Sequence, residues 1–220
     1  MTPPFARSST FLAALLPLVA LTLAGCGARA TALPDDPVDK AATCGVVTAA
    51  SERAAAGVKG DLPADAQARI FHYPLLAGSA GKSFDDDTAQ KVFQRMPKLF
   101  DTVIVDGWET LKPACAAAFP QTQIAQPTLP AGKLDSMLQC YVLADFMRRS
   151  LGSAGGSYGE ASMRYNIFTS KLDTRMTPVL AAAGLKNGPK LQARRSEALS
   201  AAAKLGQPQL VIAACMKKYG

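Results

Sequence analysis

Five cysteines, one histidine and a short Gly-Lys-Ser run are the residues of this 220-residue chain with the most obvious capacity for chemistry. The cysteines are Cys26, Cys44, Cys115, Cys140 and Cys215. They form no C-x-x-C pair and no cysteine–histidine cluster, so their spacing offers nothing to zinc, haem or a thioredoxin-type dithiol. His72 is the only imidazole, and its neighbours Phe71 and Tyr73 suggest a partly buried or surface ring. Hydrolytic chemistry needs a nucleophile beside a base; with one histidine there is no H-E-x-x-H, and catalysis is not expected. An enzyme would need a polar pocket holding His72, or two facing carboxylates. Gly81-Lys82-Ser83 ends like a phosphate-binding loop, but that motif needs a glycine where Leu76 stands, and no strand precedes it. Asp85, Asp86 and Asp87 are followed by no further oxygen ligands at calcium-loop spacing, and read better as helix-cap and first-turn acids. No metal and no cofactor is expected.

Cys26 has a different context. Residues 1–10 are polar with one charged side chain, Arg7, and Phe11 to Ala24 are apolar apart from Thr22. That run is shorter than the roughly 18 residues a membrane-spanning helix needs, and it reads as the apolar region of a signal peptide. It ends in Leu23-Ala24-Gly25-Cys26, which resembles the lipobox of bacterial lipoproteins. The resemblance covers residues 1–26 and implies cleavage after Gly25 with acyl chains on the Cys26 sulfur and amine. Two or more acyl chains hold a protein to a bilayer where one does not, each buried methylene contributing about 0.8 kcal/mol. Gly27 stands where an aspartate retains enteric lipoproteins at the inner membrane, so the resemblance implies an outer-membrane address facing the periplasm.

If Cys26 carries lipid, an even set remains: Cys44, Cys115, Cys140 and Cys215. In an oxidising envelope four cysteines suggest two disulfides, for which three pairings exist. The formal charge of +7 falls to +6 when Arg7 is removed with the leader. Residues 186–220 hold seven basic side chains against Glu197 alone, so the whole excess lies at that end. Lys190, Arg194 and Arg195 form a candidate basic interaction face toward an acidic protein or an anionic envelope component; a solvated helix face is the plainer reading. An exported chain is not expected to meet nucleic acid.

The elements that would position these residues are helical. Alanine is abundant and β-branched runs are short. Residues 26–36 read as acylated cysteine and tether, and 37–220 as one helical domain. Asp36-Pro37 looks like an N-cap with proline at the first helical position, opening a helix that stops near Gly57–Gly60. A weaker helical piece spans Asp61 to Tyr73, closed by Pro74. Phe93, Met96, Phe100, Ile104, Trp108, Leu111, Cys115 and Phe119 form an apolar stripe of steps three and four, with a kink or break expected at Pro97 and Pro113. Lys133 to Leu151 is apolar on several faces and reads as the central helix, with Asp145 expected to pair with Arg148 or Arg149. Gly152 to Gly159 reads as a mobile break. Further helices run from Ala161 toward a stop at Gly184, from Asn187-Gly188-Pro189 to Leu205, and from Pro208 to Lys218.

These pieces predict an all-α fold: an irregular antiparallel bundle of about five to seven helices, stapled by two disulfides. Antiparallel packing favours Cys44–Cys115 and Cys140–Cys215. The function expected is that of a lipid-anchored, non-catalytic binding or accessory module. The alternative is an immunity or inhibitor protein acting against a periplasmic toxin or hydrolase.

Overall fold

The computed structural model describes residues 32–104, 107–186 and 188–220. The leader, Cys26, Gly27 and Asn187 lie outside the described residues. Eight α-helices follow in order: α1 (Pro37–Ala56), α2 (Ala64–Gly78), α3 (Asp86–Val103), α4 (Lys112–Ala118), α5 (Lys133–Ala154), α6 (Gly159–Ala182), α7 (Pro189–Ala203) and α8 (Pro208–Tyr219). Single 3-10 turns occupy Trp108–Leu111, Pro120–Gln123 and Gly156–Tyr158, and no strand occurs among the described residues. The fold is an all-α bundle with one helix more than the upper end of the expected range. No described helix is long and apolar enough to cross a membrane.

Local chemistry accounts for most of the ends. Asp36 Oδ1 accepts the N–H groups of Val38 and Asp39 at 2.9 Å, satisfying two donors that α1 cannot pair itself. Asp85 does the same for Asp87 and Thr88 at the start of α3. Gly57, at φ +65°, closes α1 in the left-handed conformation that only glycine adopts cheaply.

One proline departs from expectation: Pro74, which reads as closing its helix, lies in the interior of α2. Pro97 and Pro178 lie inside α3 and α6, and none of the three ends its helix. An interior proline costs about 3 kcal/mol. In α2 the residues around Pro74 offset it, because Ile70, Phe71, Leu75 and Leu76 are all buried, and burying each such side chain contributes about 1.5–3 kcal/mol. The long apolar stripe breaks after Val103 and again at Pro113, the second residue of α4. Helix α3 ends at Val103, and the chain restarts after Gly107, whose φ of +87° no β-branched residue would tolerate.

The largest core gathers α5, α6, α7 and α8 against one face of α2, with Leu143, Met147, Leu172 and Met176 fully buried. A second cluster joins α1, α3 and α4 to the other face of α2 through Val47, Tyr73, Val92 and Cys115. Helix α2 is therefore the partition that both clusters share. The bridges follow the same division: Cys44–Cys115 ties α1 to α4, and Cys140–Cys215 ties α5 to α8. This is the pairing that antiparallel packing favours.

Where α2 ends the chain turns back on itself tightly. A Cβ built on Gly78 would lie 2.7 Å from the Asp85 carbonyl oxygen and 2.6 Å from the Phe84 ring. Backbone cannot retreat as a side chain can, so Gly78→Ala is expected to destabilise the fold by about 1–3 kcal/mol. A lower urea midpoint with an unchanged slope would register it.

Candidate functional site

A pocket of about 480 Å³ opens where α1, α2, α4, the Pro120–Gln123 turn and Gln207 converge. Helix α1 contributes Val47, Thr48, Ser51 and Glu52, which share a face because steps of three and four return to the same side. Arg69, His72 and Tyr73 recur on α2 at the same spacing. Lys112, Pro113, Cys115 and Ala116 form the wall from α4, which the Cys44–Cys115 bridge ties to α1.

The polar groups are largely tied to one another. The Arg69 guanidinium donates two parallel bonds to Glu52, Nε to Oε1 and Nη2 to Oε2, each 2.6 Å. Bidentate geometry of this kind is the strong form of the ion pair, and the hydrogen bond to Glu52 holds Arg69 above its usual range. The Thr48 hydroxyl donates to the Tyr73 oxygen at 2.9 Å. Burial raises the Tyr73 phenol, with hydrogen bonds to Thr48 and Thr122 pulling the other way. Gln207 Nε2 donates to the Thr122 carbonyl at 2.8 Å, fastening the Pro120–Gln123 turn to the start of α8.

His72 corrects an expectation: its ring is fully buried rather than partly buried or at the surface. It reaches away from its own helix to α7, with Nε2 2.8 Å from the Ala203 carbonyl oxygen. A carbonyl only accepts, so Nε2 carries the proton and Nδ1 is a bare acceptor, without a partner. Burial lowers the imidazole to about 4, against the opposing bond to Ala203, so the ring is neutral at pH 7. No pocket hydroxyl is hydrogen-bonded to it.

The other singled-out residues fall outside this pocket. Asp145 pairs with both Arg148 and Arg149, at 2.7 and 3.1 Å. Arg194 is held by Asp135 and by Glu197, while the Arg195 guanidinium lies 5.2 Å from the centre of the Tyr141 ring. Of the candidate basic face only Lys190 is exposed without an ion pair among the described residues, so the three do not form one free cationic surface. Trp108 packs against the second cluster, with Lys112 Nζ 5.0 Å from its ring centre. Lys82 of the Gly-Lys-Ser run pairs with Glu197 at 2.8 Å.

The expectation that no G-x-S-x-G or S-x-x-K string occurs is corrected by Gly155-Gly156-Ser157-Tyr158-Gly159 and Ser79-Ala80-Gly81-Lys82, in neither of which the serine bonds His72. Ser157, within Gly155-Gly156-Ser157-Tyr158-Gly159, sits in a 3-10 turn and bonds Asp61 through both its N–H and its hydroxyl. Tyr158 beside it is buried. Ser79, three residues before Lys82, is fully buried. Among the described residues no three His, Cys, Asp or Glu side chains gather as a metal site.

The class so defined is a disulfide-stapled all-α bundle with a polar pocket between its first, second and fourth helices. No family model matches the chain, and no curated protein or solved structure matches it.

Proposed function

We propose that the chain is a lipid-anchored protein of the bacterial cell envelope, attached to the outer membrane through Cys26 and facing the periplasm, whose helical domain is a non-catalytic binding module. The pocket carries the binding part of this reading. It is large enough for a small molecule, roughly the 300–1,000 Å³ that ligand sites occupy. Its hydroxyl, amide and charged groups are fixed in place by hydrogen bonds, which is the preorganisation a binding site uses. The one imidazole is spent on the Ala203 carbonyl and is a weak base, which favours holding a ligand over attacking it. The anchor rests on the sequence Leu23-Ala24-Gly25-Cys26. The two bridges suit an oxidising compartment.

The intact mass of the chain extracted from membranes tests this reading. It should equal residues 26–220 plus acyl chains, with no thiol open to alkylation before reduction. A mass with unmodified Cys26, or four alkylatable thiols, would overturn it.

A further inference from the structure

The pocket's own chemistry narrows what it can hold. Three charged side chains line it: Glu52, Arg69 and Lys112. Glu52 and Arg69 cancel through their paired bonds, whereas Lys112 is exposed and, among the described residues, has no carboxylate within salt-bridge distance. Among the described residues the pocket therefore keeps one positive charge with no carboxylate on it. Its remaining hydrogen-bonding capacity runs both ways. Each Glu52 oxygen accepts one N–H and retains a lone pair, while Arg69 Nη1 and the Lys112 ammonium keep N–H groups to give. A hydroxyl both donates and accepts, so it meets groups of either kind.

From these observations we infer that the pocket binds a small hydroxylated acid, with its single acidic group on Lys112 and its hydroxyls toward Glu52 and Arg69. The inference rests on the binding-module reading and names the ligand class of that same site. Hydroxyl donors fit better than an ammonium. Arg69 already balances Glu52, so a cation placed there meets the guanidinium's repulsion without an uncompensated carboxylate to attract it. A sugar carboxylate and a polyol phosphate share the required chemistry.

Titration of the oxidised full chain tests this, followed by amide NMR shifts and calorimetry. The probes are glucuronate and glycerol 3-phosphate as hydroxylated acids, glucose as a neutral polyol, and serine as a zwitterion. At least one acid should bind saturably, shifting Thr48, Tyr73 and Thr122, with glucose and serine at least tenfold weaker; which acid binds tells carboxylate from phosphate. Lys112→Ala should weaken that acid at least tenfold and leave the thermal midpoint unchanged, because Lys112 is exposed, and Lys112→Arg should restore most of the loss. Equal binding of glucose and the acids, or no effect of Lys112→Ala, would overturn the inference. Preferential binding of serine would also overturn it, while leaving the module reading intact. Silence toward all four probes would remove the pocket as the binding site; the mass of Cys26 judges the anchor separately.

Discussion

Replacing Cys44 and Cys115 together with alanine is expected to lower the stability of the chain by about 4 kcal/mol. The bridge closes a sequence separation of 71 residues, and on the chain-entropy model a loop that long removes much of the unfolded ensemble's freedom. Its loss should be felt unevenly. Helix α4 is seven residues long, carries Cys115 as its only buried residue, and rests on α1 and the neighbouring 3-10 turn. A helix so short cannot hold itself in water. Without the bridge, amides of Lys112–Ala118 should exchange with solvent far faster than those of α5, and the pocket should lose a wall. Urea unfolding combined with hydrogen exchange checks both parts. A full-sized drop in stability with α4 still protected would mean that packing at Leu111 and Phe119, not the covalent link, holds that wall.

The second large effect is with acid. His72 is neutral when folded and titrates at about 4, while in the unfolded chain it takes its proton near the ordinary 6.5. Between these values the unfolded state binds more protons, so stability rises with pH across the window and is fully present above about 6.5. It falls as pH drops toward 4, by about 3 kcal/mol from this one residue. The chain has a single histidine, so the stretch from pH 6.5 to 5 belongs to it among the side chains. The depressed carboxyls of Asp85 and Glu197, held down by hydrogen bonds from Thr88 and Lys82, lose their contribution only below the normal carboxylate range. Urea midpoints at pH 7, 6 and 5 should decline in the native chain and stay level in His72→Gln. A decline of equal steepness in both would show that the imidazole is not its source.

The parts of this architecture that could be read from sequence are those decided locally. Asp36, Asp85, Gly57 and Pro208 mark helix ends because capping and backbone geometry act over a few residues. Asp145 met its arginines because they sit one turn away on the same helix. What escaped was decided by packing. Pro74 reads as a stop, yet the apolar residues around it bury enough surface to carry α2 through. His72 reads as half-exposed, since nothing nearby in sequence announces the Ala203 carbonyl 131 residues further on. The pocket left a faint trace, Thr48-Ser51-Glu52 and Arg69-His72-Tyr73 each breaking an apolar pattern at helical spacing. That these two faces meet is a tertiary fact, and the charge pairing of Glu52 with Arg69 is its signature.

The order of the two bridges has a consequence for how the molecule is made. Cys44 joins Cys115 and Cys140 joins Cys215, so the rings follow one another along the chain and neither encloses the other. A polypeptide threaded out of a pore amino end first would offer Cys44 and Cys115 to an oxidase before Cys140 had appeared. With Cys26 taken by lipid as proposed, pairing the remaining thiols in order of arrival yields the native cross-links, and such a protein can mature without an isomerase to undo mistakes.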